Sequence, residues 1–138
     1  MGKKGKFKKI SIKETSRLQI KEKPPNYDTF KPIFSFRHME YRGKCCLSSC
    51  EKLVRADVVD TLLQLSQIPW SEILSTQRKG IGKENIPVRQ FKVKLPQFVT
   101  EDVEKLMVFH FSEAGRMAGI RRNDIYHVLV VGYKLYDH

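Results

Sequence analysis

The chain has 138 residues, of which 41% are hydrophobic and 30% are charged, and its formal net charge is +11. These values are typical of a soluble globular protein with one domain. No apolar run approaches the roughly 20 residues that span a bilayer, and no apolar segment follows the basic N-terminus as in a secretory signal. We therefore expect a cytoplasmic protein that has no membrane partner.

The positive charge is concentrated at the start of the chain. Residues 1–23 contain nine of the 26 basic residues but only two of the 15 acidic residues. We predict that residues 1–24 form a basic, partly disordered extension, in which residues 10–23 alternate enough to add an edge strand. Such an extension binds RNA, DNA or an acidic protein by charge alone, or it serves only as a solubilising tail.

Residues 25–138 are predicted to form one α+β domain. The aromatic and β-branched segment "KPIFSFRHMEY" indicates a strand. The loop "GKCCLSSC" follows and leads into a helix over roughly residues 50–66, where Ser48 and Glu51 have the spacing of a capping box. Four apolar residues share one face of this helix: Val54, Val58, Leu62 and Leu65. "QIPWSEILSTQRKG" indicates a second helix, with Pro69 in its first turn and Gly80 as its C-terminal cap.

The C-terminal half is rich in predicted strands. "GIGKENIP" is predicted to be a loop, and "VRQFKVKLP" a strand with one apolar and one basic face. "TEDVEKL" is predicted to be a short helix or helical turn. "MVFHFS" indicates a strand that places Phe109 and His110 on opposite faces.

The last segment, "GRMAGIRRNDIYHVLVVGYKLYDH", indicates a hairpin with its turn at Asn123 and Asp124. Its apolar run, residues 128–131, is typical of a strand inside a sheet. Alternation predicts that His127, Leu129 and Val131 share one face. The whole order predicts an α+β fold in which two helices pack on an antiparallel sheet of about four to five strands.

The cysteines and carboxylates do not indicate a metal site. Cys45, Cys46 and Cys50 are odd in number and close together, which favours reduced thiols over a disulfide framework. A structural zinc site needs a second pair of ligands, and the acidic residues fall mostly on predicted helix surfaces. We predict no metal and no cofactor.

Basic and aromatic residues of the predicted sheet are the candidate functional groups. Arginine matches phosphate oxygens with a planar fork, and tyrosine and histidine stack on unpaired bases, which suits RNA. The same residue types supply the base, cation and acid that cleave RNA through its own 2′-hydroxyl. The candidate catalytic residues are Arg116, Arg121, His127, Tyr136 and His138. The candidate RNA-binding residues are Lys92, Lys94, Arg122 and Lys134. The alternative is that His110 and His127 are ordinary strand residues and the arginines are merely solvated.

Two resemblances bear on these expectations. The phrases "PIFSF", "LSQIPWSEI", "GIGKENI", "GRMAGIR" and "IYHVLVVGYKLYDH" resemble a family of small uncharacterised bacterial proteins, over most of residues 25–138. That resemblance implies a bacterial cytoplasmic protein with one compact domain, and it implies no activity.

The order of elements, with an arginine-bearing strand, an apolar strand and a terminal Lys/Tyr, is similar to the RelE-like toxins of toxin–antitoxin pairs. Those small basic proteins cut mRNA on the ribosome without a metal. The resemblance implies that Arg116 or Arg121 steadies the phosphate. It implies that Lys134 is the basic residue after the last strand, and that Tyr136 or His138 is the general acid or base.

The first hypothesis is therefore an RNA-acting protein of RelE-like build, either an mRNA endonuclease with a cognate antitoxin or a relative that only binds RNA. The second is a non-enzymatic interaction module that binds nucleic acid or an acidic protein. A third is an antitoxin-like or phage-encoded regulator.

Overall fold

The computed structural model describes residues 23–75 and 82–137. Three predictions fall outside the described residues: the cap at Gly80, the candidate His138, and the edge strand within residues 10–23, of which only Lys23 is described. The strands and helices of the described part are β1 (Ile33–Ser35), α1 (Lys52–Leu65), α2 (Trp70–Leu74), β2 (Lys83–Pro87), β3 (Lys105–His110), β4 (Gly115–Arg122) and β5 (Ile125–Tyr133). In these ranges, no helix combines the length and apolarity that a membrane crossing requires.

The strands form one mixed sheet in the order β1-β5-β4-β3-β2. Neighbours β2, β3, β4 and β5 run antiparallel, whereas β1 runs parallel to β5. The predicted α+β class is confirmed, but the expectation of a wholly antiparallel sheet is wrong because β1 joins the far edge beside the last strand. Strand β5 lies inside the sheet, as its apolar run predicts.

One side of the sheet, which we call the helix face, packs against α1 and α2. The four apolar residues predicted to share a face of α1 are all buried there. Trp70 and Ile73 of α2 are almost completely buried and join the same core as Phe109 and Tyr126. The predicted capping box is wrong, because Glu51 is the N-cap of α1 and no side chain caps this helix.

The other side, which we call the loop face, is covered by irregular chain from residues 88–103. Here the predictions for two adjacent segments are wrong. The predicted loop contains β2, which pairs with β3 from Lys83 opposite Phe109 to Pro87 opposite Lys105. The predicted strand is instead a 3-10 turn, Val88–Gln90, followed by extended chain. Its alternation reflects partly buried side chains that pack on the core, and among the described residues its backbone pairs only at Phe91, in a single antiparallel bridge with Tyr136.

Residues 100–103 form a single turn, closed by a hydrogen bond from the Val103 amide to the Thr100 carbonyl. The predicted turn is therefore present at this position, but it does not continue into a helix. The chain leaves this turn directly into β3.

The β4–β5 hairpin has the predicted two-residue turn, with Asn123 at a φ of 59°. Its register shifts inside the strands, because Ala118 pairs with Val130 and Gly119 pairs with Val128. Leu129 is therefore the extra residue of a β-bulge, and the Leu129 and Val130 side chains both join the core of the loop face. The predicted row that joined Val131 to His127 is wrong, since Val131 lies on the helix face.

Candidate active site

Four side chains meet on the loop face, at the end of the hairpin remote from its turn. Glu84 comes from β2, His110 from β3, Arg116 from β4, and Tyr136 from the segment after β5. We call this group the tetrad. Register explains its assembly: His110 lies directly opposite Arg116, and Glu84 lies opposite Val108, two residues before His110. Strand alternation places the first three side chains on one face.

A single carboxylate oxygen joins two members of the tetrad. Glu84 Oε2 lies 2.8 Å from His110 Nε2 and accepts a hydrogen bond of 3.2 Å from the Tyr136 hydroxyl. The Glu84 and His110 side chains are 29% and 31% exposed, so both are within reach of a ligand. When Nε2 donates to the carboxylate, the second ring nitrogen of His110, Nδ1, is the acceptor.

The Gly82 backbone packs closely against the ring of His110 on the side of that second nitrogen. A Cβ added to Gly82 would lie 2.4 Å from His110 Nδ1, which is shorter than any tolerable contact. The Gly82 carbonyl also accepts a 2.9 Å hydrogen bond from the His110 amide. Glycine therefore lets the backbone approach the imidazole without covering its acceptor nitrogen with a side chain.

Tyr136 and Arg116 provide donors. Burial and then the negative charge of Glu84 raise the pKa of Tyr136 above 10, while hydrogen bonding from Arg116 partly offsets this. The phenol consequently remains protonated at neutral pH. Arg116 Nη1 donates to the carbonyls of Ser112, Glu113 and Gly115 at 3.2, 3.0 and 2.9 Å, so the loop after β3 fixes its guanidinium.

The tetrad therefore combines an imidazole paired with a carboxylate, a protonated phenol and a fixed cation. An imidazole paired with a carboxylate acts as a general base, because the carboxylate stabilises the imidazolium that forms. A guanidinium stabilises negative charge that develops on phosphate oxygens, and a phenol can donate a proton. These are the groups that proton transfer at a phosphodiester requires.

Beside the tetrad lies a cleft of about 540 Å³, whose basic lining residues are Arg42, Lys44, Lys92 and Lys94. We call it the basic cleft. Its walls are the loop of residues 40–46 and the segment 92–96, and Leu129 and Val130 lie at its base. The amide of Val131 donates to the Cys45 carbonyl at 2.9 Å, which ties the first wall to β5.

Of the residues predicted from the sequence, the structure brings together two pairs. Arg116 and Tyr136 belong to the tetrad, and Lys92 and Lys94 line the basic cleft. The other described candidates lie elsewhere. Arg122 and Lys134 are exposed outside both sites.

Arg121 and His127 have structural surroundings. Arg121 lies 4.5 Å from the ring centre of Trp70 and forms a 2.7 Å ion pair with Asp28. His127 contacts the rings of His38 and Phe98, and its Nδ1 is buried without a hydrogen-bond partner. Burial, followed by the positive charges of its neighbours, lowers the pKa of His127. Neither side chain joins the tetrad.

Sequence reasoning missed Glu84 and did not select His110 as a catalytic or RNA-binding candidate. Glu84 lies in the segment that was predicted to be a loop, and it meets His110 across 26 positions of sequence. The only local signal was the histidine on the polar side of the predicted "MVFHFS" strand.

The three cysteines are free thiols. Burial alone would raise the pKa of Cys46, but hydrogen bonds from Ser48 and nearby backbone amides outweigh it and lower that pKa. Among the described residues, no group of three or more His, Cys, Asp or Glu side chains is placed to hold a metal ion.

Comparison of the chain with protein-family models, with curated proteins and with solved structures finds no match. The tetrad and the basic cleft are the features of the structure that bear on function.

Proposed function

We propose that this protein is an RNA-acting enzyme that cleaves RNA through the 2′-hydroxyl of the substrate. The observation that carries the proposal is the contact of one oxygen, Glu84 Oε2, with both His110 and Tyr136, where Arg116 also contacts the tyrosine. Such cleavage needs a base, a cation and an acid around one phosphate. The tetrad contains all three.

In this mechanism His110 takes the proton of the 2′-hydroxyl, and the 2′-oxygen forms a bond to the adjacent phosphorus. Arg116 stabilises the negative charge of the phosphorane. Tyr136 gives its proton to the 5′-oxygen as the bond between that oxygen and phosphorus breaks. The products are a 2′,3′-cyclic phosphate and a 5′-hydroxyl. Glu84, which contacts both His110 and Tyr136, then returns the proton from the imidazolium to the tyrosinate.

The RelE-like resemblance suggests a biological role for this activity, that of a toxin in a toxin–antitoxin pair. The observed order of a strand, two helices and an antiparallel meander is compatible with it. On this proposal the protein is a bacterial cytoplasmic toxin that cuts mRNA, and an acidic antitoxin is its partner. Arg116 and Tyr136 then take the phosphate and acid roles that the resemblance implies.

The direct test is cleavage of an end-labelled single-stranded RNA in EDTA, with the chemistry of the new ends as the readout. His110→Ala should lower the cleavage rate by a factor of about 10² to 10⁴, the usual contribution of a general base. His127→Ala is the matched control, since its imidazole lies outside the tetrad, and it should retain the rate.

Failure would be clear in three ways. The proposal is wrong if the wild-type chain leaves free and ribosome-bound RNA intact. It is also wrong if an RNA with 2′-deoxyribose at the cleaved position is still cut. Equal rate losses for His110→Ala and His127→Ala would show that cleavage does not depend specifically on the tetrad.

A second candidate function, binding of a protein partner, is favoured by an exposed apolar row on α1. Leu53, Val59 and Leu63 are 79%, 57% and 58% exposed, and helical spacing puts them opposite the buried face. Exposed apolar residues that form a contiguous patch mark interaction sites. If the product of an adjoining gene is that partner, Leu63→Asp should weaken the complex in a titration while RNA cleavage by the free protein is unchanged.

A further inference from the structure

The basic cleft is open to solvent and strongly positive. Each of its four basic residues is exposed. Within the lining they are opposed by Glu40 alone, and Lys92 also pairs with Asp137. Like charges at this density repel one another, so the cleft favours an anion that neutralises several of them together.

Arg42 occupies the cleft at a conformational cost. The turn that begins at Glu40 is closed by a 3.0 Å hydrogen bond from the Gly43 amide, and Arg42 in this turn has a φ of 63°. That left-handed conformation suits glycine, and it strains a residue that carries a Cβ. Gly43 does not relieve the strain, because the left-handed position of the turn is occupied by Arg42, the residue before it. Strained backbone of this kind clusters at binding sites.

The base of the cleft is apolar because of the β-bulge. The extra residue in β5 turns two successive side chains, Leu129 and Val130, toward the loop face. Apolar surface between cations suits a ligand that alternates charged phosphates with sugars and bases. The cleft volume of about 540 Å³ lies in the range of small-ligand pockets, so it admits part of one strand but not a double helix.

The cleft adjoins the segment that carries Tyr136. The Phe91 ring lies 5.3 Å from the ring of Tyr136, and the next residue, Lys92, lines the cleft. Backbone hydrogen bonds hold the two segments side by side, from the Lys92 amide to the Leu135 carbonyl and from the Asp137 amide to the Gln90 carbonyl. A strand whose phosphate lies at Tyr136 would reach the basic cleft by running along this segment.

We infer that the basic cleft binds the phosphates of single-stranded RNA next to the one that is cleaved, so that the substrate is a single strand several nucleotides long. This inference rests on the proposed function, because the tetrad marks the position of the reacting phosphate. The phosphate contacts come from Arg42, Lys44, Lys92 and Lys94.

The experiment measures the binding of a labelled single-stranded RNA with 2′-O-methyl groups, which the tetrad cannot cleave. Fluorescence anisotropy of the full-length chain gives the affinity at several salt concentrations. For single strands, log K falls with log salt by about 0.7 for each phosphate contact. Lys92→Ala/Lys94→Ala should therefore weaken binding about tenfold and reduce the slope by about 1.4. Lys52→Ala, an exposed lysine on α1, is the control and should change neither value.

Arg42→Gly is a second variant, in which a loss of RNA affinity can be distinguished from a loss of folded protein. Glycine relieves the strained turn and removes the cation, so the melting temperature should rise by a few degrees, on the order of 3 °C, while RNA affinity falls. A loss of affinity in a more stable protein cannot arise from unfolding.

The outcomes separate the inference from the proposed function. If the cleft variants bind like the wild type while the wild type still cleaves RNA, the inference is wrong and the proposed function stands. If binding falls as expected but the wild type never cleaves RNA, the proposed function is wrong and the cleft is supported as an RNA site. Equal competition by inorganic phosphate or by poly-glutamate would overturn the assignment to RNA.

Discussion

The two ends of the β4–β5 hairpin use the same residue type in different ways. Arg121, near the turn, lies over Trp70 and pairs with Asp28, and its side chain is only 17% exposed. Arg116, at the other end of β4, belongs to the tetrad on the opposite side of the sheet. Five residues, or roughly 17 Å of strand, separate them. One strand thus carries an arginine packed into the fold and an arginine that belongs to the tetrad.

The neighbours of each end explain the difference. At the turn, Trp70 Nε1 donates to the Asp124 carbonyl at 3.0 Å, and the Ile33 amide donates to the same carbonyl. These contacts anchor the turn to α2 and β1. At the open end, Glu84 and His110 remain about 30% exposed. The position of a charged residue along the strand, rather than its identity, decides its role.

Among changes within the hairpin, the largest expected effect is that of Arg116→Ala. We expect Arg116→Ala to lower the rate of RNA cleavage by a factor of about 10² to 10³, the usual result of removing one donor to transition-state charge. Single-turnover kinetics measure this rate. Some stability is also lost, because Arg116 donates to two carbonyls of the loop after β3 and to the Gly115 carbonyl. A variant that melts earlier but cleaves normally would make Arg116 a purely structural residue.

Arg121→Ala should show the reverse pattern. It removes a contact with an aromatic ring, an ion pair and a charged hydrogen bond to the Asn123 carbonyl, which together stabilise the protein by about 2 kcal/mol. Denaturant unfolding measures this loss. Cleavage at a temperature where the variant is folded should equal that of the wild type. A rate loss as large as that of Arg116→Ala would erase the distinction between the two ends.

Gly82→Ala tests the open end without removing any charged group. The new methyl group would collide with His110, so the imidazole or the backbone beside it must shift. We expect a fall in cleavage rate of about tenfold or more, since small misplacements of a reacting group are costly. Ala118→Gly, on the neighbouring strand, removes a methyl group and serves as a control for general loosening of the sheet. If Gly82→Ala cleaves at the wild-type rate, the space beside His110 is not used.

The smallest expected effect is on stability, and it distinguishes Tyr126 from Tyr136. Tyr126 is completely buried, its hydroxyl donates to the Met107 carbonyl at 2.6 Å, and burial raises its pKa well above 10. The unfolded chain ionises near pH 10 and the folded chain does not, so stability is complete below that pH and falls above it. Tyr126→Phe should cost about 1 kcal/mol at neutral pH and flatten the alkaline decline in thermal melts. Tyr136→Phe should instead lower cleavage. A Tyr126→Phe melt that declines as steeply as the wild type would refute this assignment.

The sequence predicts the local features that rest on strong patterns. The buried face of α1 follows from apolar residues at helical spacing, and the hairpin turn follows from Asn123, which tolerates a positive φ. Periodicity failed at β2, where edge pairing with β3 organises a segment that has little alternation of its own. It also failed after Leu129, because a bulge shifts the alternation by one residue and arises from tertiary packing.

The candidate site follows the same rule. Arg116 and Tyr136 were recognisable as residue types in a terminal segment. The pairing of Arg116 opposite His110, and the contact of Tyr136 with Glu84, depend instead on the register between three strands. A single sequence contains no local signal for such register. The chemical inventory was therefore predictable, and the geometry that selects four side chains from it was not.

Trp70 is the only tryptophan in the chain, and none of its surface is exposed. Its ring lies under the Arg121 guanidinium at the turn end, on the opposite side of the sheet from His110. The protein therefore contains an intrinsic optical reporter of one end of the hairpin. Emission from Trp70 will follow the loosening of the turn, while cleavage follows the tetrad. Recorded together during gradual heating, these two signals would show whether the two ends unfold as one cooperative unit.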